Sequence, residues 1–577
     1  MQNDDYDVIV IGGGISGLLS SLALSKHGNR VLVLEKDDIV GGNCRSYSVD
    51  GFTVDTGPHA ITALRGGPLP MLMDQYFDTV PSFCPYGNYY IRSQDAQLVR
   101  CPTNVRDFLT FDYLPVADRM RLAKTIGSVM LKISRGIDYS GVSVYDCLPD
   151  GLKPETLAFA DTFSLFMSGC SMKETSVQRM AAGAGVAKEK DMLTTEEYLA
   201  IVNGGDHDDE HGGDHDGDHG DYDNNRGDYD NNRNDHDNNR GDSAARAEKK
   251  KQTDESADPN ESADPDEHAD HDKKSKTKKK SDSWRKRNAD RKTPENSESF
   301  LKAIRKTMTH KGGFSTQGYP IGGIQAITDC AIKSMPSSVD ILTGARAQTI
   351  LTDGGKDGSG DVKAIGVETA DKEYYADLVI HTGFASALPN MLELPVSYVD
   401  MLKGIKHTVS LSVWIGLDEK RPEFDYIGSE VQFEEMPYWG GSISNYDSSL
   451  APDGCQTAGF AFIPRQQDAK AKIGDAYNEL FTLLPDIEKH VVMRHDQITV
   501  PEKAAITVSG EFADIRTPIR NLYVAGTDTD KRSMGVTRAA YSVVELLGKL
   551  QADGCLKRQN DFKGHNFSRP YLPPIKS

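Results

Sequence analysis

The sequence is short of paired cysteines, long apolar runs and positive charge, and each shortage removes a class of protein. Its eight cysteines, at positions 44, 84, 101, 147, 170, 330, 455 and 555, are scattered and form no C-x-x-C pair. Reduced thiols in a cytoplasmic chain are the simplest reading of that spacing. No run of about eighteen apolar residues offers a membrane-spanning helix. No N-terminal signal peptide is expected, because acidic residues precede a first strand that begins at about Tyr6. The formal net charge of −20 argues against a nucleic-acid partner. No Ser-His-Asp set and no H-E-x-x-H suggests hydrolytic or zinc chemistry, and no metal site is expected.

What is present begins at Tyr6 and runs to Lys36, YDVIVIGGGISGLLSSLALSKHGNRVLVLEK. Val8 to Ile11 is a continuous apolar run, as a parallel strand covered on both faces requires. Gly12, Gly14 and Gly17 then form G-x-G-x-x-G. Gly12 suits a tight turn, Gly14 lets a pyrophosphate approach the backbone, and Gly17 lets the next helix pack close. That helix, from about Ile15 to His27, presents Ile15 and Ser16 at its positive end to the phosphates. Gly28-Asn29 ends it. Val31 to Leu34 is the second strand, followed by Glu35 and Lys36. Glu35 stands eighteen positions past Gly17, where a carboxylate accepts hydrogen bonds from an adenosine ribose and disfavours a 2′-phosphate.

Next come Gly41-Gly42-Asn43-Cys44-Arg45-Ser46 and then YSVDGFTVDTGPH to His59, with Asp50-Gly51 as a hairpin turn. This run resembles the flavoprotein superfamily of phytoene desaturases, carotenoid isomerases, retinol saturases, monoamine oxidases and protoporphyrinogen oxidase. There, a G-G-R-x-x-[ST] motif follows the ribose acid and touches FAD. Here Asn43 replaces the usual arginine and Arg45 lies two residues on. Carotenoid isomerases and retinol saturases lack that arginine too, and carry residues similar to Asp55, Gly57 and His59. The resemblance therefore implies the isoprenoid branch. Two readings of His59 stay open: a loop histidine with a local hydrogen bond, or a residue near the flavin.

The C-terminal part resembles the same superfamily. Gly318-Tyr319-Pro320-Ile321-Gly322-Gly323 is similar to its Y-P-x-G-G segment, whose glycines allow close approach to a ligand. Val339–Leu342, 347–352, Val362–Glu368 and 378–381 read as strands, and the resemblance implies a small sheet beside the adenine near Ala347. RNLYVAGTDTDKRSMGVTRAAYSVVELL, 520–547, gives a strand, Gly526-Thr527-Asp528, and a helix from about Val536. By resemblance, Asp528 bonds near the ribityl chain or pyrophosphate, and the backbone at Gly535 and Val536 approaches the isoalloxazine.

Between these ends, Val116 to Gly136 is a basic amphipathic pattern that suits either a core-facing helix or a membrane surface. The segment 159–172 suits a helix lining the substrate region. Residues 203–298 are almost free of apolar side chains and contain the repeats GDYDNNR, GDYDNNR and NDHDNNR. They read as a disordered low-complexity insertion. A metal buffer is the alternative use of their Asp and His.

The expected architecture is α/β: a Rossmann-like FAD-binding domain of the glutathione-reductase type, with a parallel sheet and an extra small β-sheet, plus an α+β substrate domain. The FAD-binding domain is assigned to 1–75, 313–392 and 498–577, and the substrate domain to 76–202, 299–312 and 393–497. The resemblance implies an FAD-dependent oxidoreductase of the phytoene desaturase type. It would act on a carotenoid or other isoprenoid lipid by desaturation, saturation or cis–trans isomerisation. His59 and Arg45 are the candidates for catalysis. The chain is expected in the cytoplasm, with peripheral contact on the inner face of the cell membrane as an extension. The alternatives are an amine or protoporphyrinogen oxidase, and a non-catalytic prenyl-binding protein of the GDP-dissociation-inhibitor type.

Overall fold

A computed structural model describes residues 5–57, 59–102, 105–183, 317–354, 362–433 and 436–556. The insertion expected at 203–298 and the segment 299–312 lie outside the described residues. The chain opens with strand β1 (Asp5–Ile11), helix α1 (Ile15–Lys26) and strand β2 (Val31–Leu34). A hairpin of β3 (Ser46–Val49) and β4 (Phe52–Asp55) follows. Asp50 and Gly51 at its tip have φ of 50° and 84°, the paired positive values that a two-residue primed turn requires. Then come α2 (Pro68–Tyr76), β5 (Phe83–Pro85), β6 (Asn88–Arg92), β7 (Leu98–Arg100), α3 (Val105–Leu109) and α4 (Val116–Ser134). Helices α5 (Val144–Cys147), α6 (Pro154–Ser168) and α7 (Val177–Gly183) complete the first half.

The second half starts at β8 (Gly318–Pro320) and α8 (Gln325–Lys333). It continues through β9 (Val339–Leu342), β10 (Thr349–Gly354), β11 (Val362–Glu368), β12 (Glu373–His381) and α9 (Val396–Lys403). Strands β13 (Ser410–Leu417), β14 (Gly428–Gln432), β15 (Tyr438–Ser442) and β16 (Gln456–Phe462) lead to α10 (Ile473–Leu483), β17 (Val491–Thr499), β18 (Leu522–Val524) and α11 (Gly535–Ala552).

Two seven-stranded sheets organise these elements. The first runs β10-β11-β12-β1-β2-β9, with β18 beside β12. Strands β9, β2, β1, β12 and β18 are parallel, and the chain order reverses between β1 and β12. The expected small sheet is not separate. β12 is nine residues long; its first residues pair with β11 and the rest with β1, so the β10–β11 hairpin continues the parallel sheet.

Both faces of this sheet are covered, which is why its strands are apolar throughout. On one face Val8, Val10, Val31 and Val33 meet Leu18, Leu19 and Leu22 of α1 and Leu546, Leu547 and Leu550 of α11. On the other, Ile9, Leu32 and Val379 meet Leu388, Leu402 and Ile519. Full burial of each such side chain contributes roughly 1.5–3 kcal/mol.

The second sheet runs β17-β13-β16-β15-β14-β6-β7. Central strand β13 is buried along all eight residues. Leu411, Val413, Ile415 and Leu417 face Leu480 and Phe481 of α10. Trp414, half a period away, joins Phe52 and Tyr446 instead. An Arg92–Glu430 ion pair ties β6 to β14, and Tyr438 and Tyr426 donate to the same carboxylate at 2.7 and 2.8 Å. These hydrogen bonds offset part of the cost of burying the pair.

Candidate active site

Register brings the nucleotide-binding candidates together. Ile11 pairs with Leu34 and with His381, and His381 pairs with Val524. The turns after these four strands therefore open at one edge of the sheet, at the point where strand order reverses. That is the crevice in which doubly wound sheets take ligands.

The glycine turn divides its labour. Gly12 has φ of 106°, a conformation that only glycine adopts cheaply. A Cβ on Gly17 would collide with the Gly12 carbonyl oxygen, so Gly17 sets how closely α1 packs on β1. A Cβ on Gly14 would meet no atom within 4 Å; this residue faces the crevice. Gly14 caps α1 without a side-chain hydrogen bond, and the first turn carries no acidic residue. The amides at this helix end are left for an anion. Thr382 steadies the turn, its hydroxyl 3.0 Å from the Gly12 carbonyl oxygen.

Glu35 stands at the tip of β2, mostly buried. Its Oε2 accepts from the Gly13 amide at 2.6 Å and its Oε1 from the Asp37 amide at 2.9 Å. Two backbone donors hold the carboxylate in place, and its other lone pairs remain for a ribose.

One cavity of about 2360 Å³ joins this crevice to an apolar chamber. The volume exceeds the roughly 300–1,000 Å³ of a site for one drug-sized ligand. Among the expected residues, Gly12, Gly14, Ile15, Ser16, Glu35, Lys36, Gly42, Asn43, Arg45, Ala347, Gly526, Gly535 and Val536 line it, as does His59. Gly17, Gly41 and Asp528 do not line it. Gly17 lies under the helix for the reason given above. Gly41 donates its amide to the Gly13 carbonyl at 2.7 Å and backs the turn from behind.

Asp528 departs most from its expected place. Its Oδ2 accepts from the Ala385 amide at 3.0 Å and from His407 Nε2 at 2.9 Å. It ties the Gly526–Thr527 turn to the turn after β12. Its Oδ1 is buried and has no hydrogen-bond partner among the described residues. The Gly322-Gly323 segment also differs from expectation. A Cβ on Gly323 would strike the Ser46 side chain, so this glycine lets α8 approach β3 and does not line the cavity. The neighbouring Tyr319 hydroxyl donates to buried Asp55 at 2.6 Å.

The far wall of the crevice is the start of α11, capped by Met534 without a side-chain hydrogen bond. A second free helix N-terminus thus faces the cavity. Buried Arg538 holds it in place by donating to the Ser533 and Ala504 carbonyls. Burial lowers the Arg538 guanidinium to about 10, countered in part by Asp530, Asp528 and Glu502. Thr62 joins the wall to the segment after His59, its hydroxyl 2.9 Å from both Ser533 and Thr537.

The chamber is built from α4, α6 and the second sheet. Leu122, Val129, Phe159, Phe163, Phe433 and Trp439 line it. Phe159 and Phe433 pack with ring centroids 5.0 Å apart. Helix α4 divides its apolar residues between core and surface. Leu122 and Val129 are buried, whereas Val116, Met120 and Ile126 are 65%, 57% and 50% exposed. No helix among the described residues is long and apolar enough to cross a membrane, and no metal-ligand cluster occurs among them. All eight cysteines are free.

His59 Nε2 donates to the Thr56 carbonyl at 3.0 Å, the local hydrogen bond of the loop reading, and the residue also lines the cavity. Burial lowers its pKa, with Asp55 pulling the other way. Sequence reasoning missed Arg346, His381, Arg532, Glu502 and Lys503, which also line the cavity. His381 ends a strand run that was recognised, so its position was available. Glu502 and Lys503 carry no local motif; backbone pairing of Thr408 with Glu502 and Lys503 places them.

Comparison with known proteins fits this geometry. Residues 10–76 match the family model for an NAD(P)-binding Rossmann-like domain. The chain is 52% identical over 103 residues to an uncharacterized protein in the nifH2 3′ region of Methanothermococcus thermolithotrophicus, covering 18% of this chain and 98% of that protein. It is 34% identical over 106 residues to the all-trans-retinol 13,14-reductase of Rattus norvegicus, covering 18% of this chain and 17% of the reductase. The chain thus matches less than a fifth of that relative's length. An oxidoreductase from Methanosarcina mazei shares the fold, with a TM-score of 0.59, 18% identity, and coverage of 94% of this chain and 99% of that one.

Proposed function

The chain belongs to the FAD-dependent oxidoreductase superfamily of phytoene desaturases, carotenoid isomerases and retinol saturases, and from that premise we propose that it is a flavoenzyme acting on an isoprenoid lipid. One observation carries the proposal: a dinucleotide crevice and an apolar chamber share a single cavity of about 2360 Å³. The similarity to a retinol reductase supports the same substrate class.

The residues present fit FAD. The uncapped starts of α1 and α11 suit the pyrophosphate and the polar edge of the flavin. Glu35 suits the adenosine ribose. When bound, the flavin would supply hydride exchange with an allylic carbon. The chain's own residues do the rest. Gly14 and Gly535 leave room for close approach. Phe159, Phe433 and Trp439 offer an apolar surface that excludes water and orients a long chain. His59 Nε2 holds its proton against the Thr56 carbonyl.

Purification followed by absorbance and mass analysis of extracted small molecules tests this. The expected result is bound FAD, or FAD uptake on addition, together with polyene or prenyl lipid. Protein that takes up no flavin when FAD is added would overturn the proposal.

A further inference from the structure

Helix α4 carries three lines of side chains, and one of them faces the core. Asp118, Leu122 and Val129 lie on that buried line. A second line, spaced by three or four residues, holds Val116, Met120, Ala123, Gly127 and Leu131, and its Val116 and Met120 are more than half exposed. A third line, with the same spacing, holds Arg121, Lys124, Ser128, Lys132 and Arg135, all exposed. Met120, Ala123, Gly127 and Leu131 each precede a member of the third line by one position. The two lines therefore run side by side, about 100° apart, on the outer face of the helix.

The single acid of α4 does not neutralise this face. Asp118 is buried and accepts from the Lys153 amide and the Thr156 hydroxyl, both at 2.8 Å. Arg121 reaches it only at 3.8 Å and donates to the Asp150 and Gly151 carbonyls. A face with four exposed cations thus stands on a chain of net charge −20. Leu109 of α3, whose carbonyl accepts from Arg119 at 3.0 Å, adds an exposed apolar side chain beside it.

The same face borders the mouth of the chamber. Lys124, Ile126, Gly127 and Ser128 are exposed and also line the cavity of about 2360 Å³, as does Phe163 of α6. A residue that is both exposed and lining marks an opening. The chamber therefore opens between α4 and α6, next to the cationic line.

Exposed aliphatic side chains seek an apolar phase, and cations seek water or anions. The boundary between the headgroups and acyl chains of an anionic bilayer meets both needs. An acidic protein would satisfy the cations but would bring no apolar phase to the mouth. We propose that the outer face of α4 docks on an anionic lipid bilayer and sets the chamber mouth against it, so that an apolar substrate enters without crossing water. This rests on the lipid-binding reading of the chamber and adds the surface from which the lipid comes. The negative remainder of the chain is repelled by that surface, which fixes the way the protein faces.

Flotation of the full-length chain with vesicles of phosphatidylcholine, alone or mixed with phosphatidylglycerol, tests the docking. The chain should float with the mixed vesicles at low salt and less at high salt. K124E/K132E should lower that binding about tenfold or more, and M120D should lower it too. All three positions are exposed, so the variants should melt as the wild type does. M120W, which keeps every cation, should add emission that lipids brominated in their acyl chains quench. Absence of flotation at low salt would overturn the proposal. So would flotation that K124E/K132E and M120D both keep, which would assign it to another surface such as the lysines at 273–280. Capture on immobilised polyglutamate without quenching of M120W would also overturn it, in favour of an acidic protein partner.

Two readouts separate this failure from others. Flotation without flavin uptake sinks the flavoenzyme reading alone, and flavin uptake without flotation sinks this one alone. Transfer of a polyene from mixed vesicles to the chain should slow about tenfold in K124E/K132E, while uptake of the same polyene from detergent stays as in the wild type. Equal transfer by the variant would sink the entry route, and no uptake from either source would sink the lipid-binding reading of the chamber.

Discussion

The two ends of the cavity are built by opposite means. The nucleotide end is backbone: three glycines, two helix N-termini and one carboxylate held by amides. The chamber end is side chain, with α4, α6 and the second sheet each supplying residues to one wall. Backbone sites tolerate little, since a single Cβ changes their shape. Side-chain walls tolerate substitution and can be retuned for another lipid. A superfamily with one cofactor and many substrates needs this division.

Substitution can break the comparison, and the largest effect should come from Gly17. Its Cβ would strike the Gly12 carbonyl, so G17A should cost about 3 kcal/mol or more by forcing α1 off β1. Thermal melting should show a lowered midpoint together with lost flavin. A melt like the wild type would remove the packing role.

His381 comes next. Burial lowers it from 6.5 to about 4, countered weakly by Asp528. The native state resists the proton that the unfolded chain accepts below pH 6.5. The associated stability is thus complete above pH 6.5 and is lost as pH falls towards 4, by about 3 kcal/mol in all. Urea unfolding of wild type and H381N across this window should differ by that amount in pH dependence; parallel curves would exclude the histidine.

Gly14 gives a smaller and more selective effect. Its Cβ would meet no protein atom, so G14A should fold normally but bind FAD about tenfold more weakly. Unchanged FAD affinity by fluorescence titration would move the pyrophosphate elsewhere. The smallest effect belongs to the chamber. Phe163 is 41% exposed and lines the cavity, so F163A should keep its flavin content and lose only a few-fold in lipid affinity. Loss of flavin in this variant would mean that the two ends are not separable.

The same division explains what was legible in the sequence. Gly12, Gly14, Gly17 and Glu35 could be placed because turn, helix start and acid lie within one continuous stretch and each acts through the backbone. Asp50-Gly51 was legible for the same reason. Asp528 was located but its orientation was not, because His407 and the Ala385 amide, over a hundred positions away, turn its carboxylate. Gly323 looked like a ligand contact because glycine reports close approach without naming the neighbour, which is Ser46. β14, β15 and β17 were not singled out, and the short buried runs of that sheet give no strong period. Glu502 and Lys503 look like any charged turn until backbone pairing with Thr408 sets them at the cavity wall.

The most direct measurement is an anaerobic titration of the FAD-loaded chain with an isoprenoid lipid, following the visible flavin band and the tryptophan emission together, with a W439F variant to assign the quenching to Trp439. If one cavity holds both ligands, the band should shift or bleach in step with the quenching, at one lipid per flavin. Quenching that saturates while the flavin band stays unchanged would place lipid and cofactor in separate sites and contradict the account.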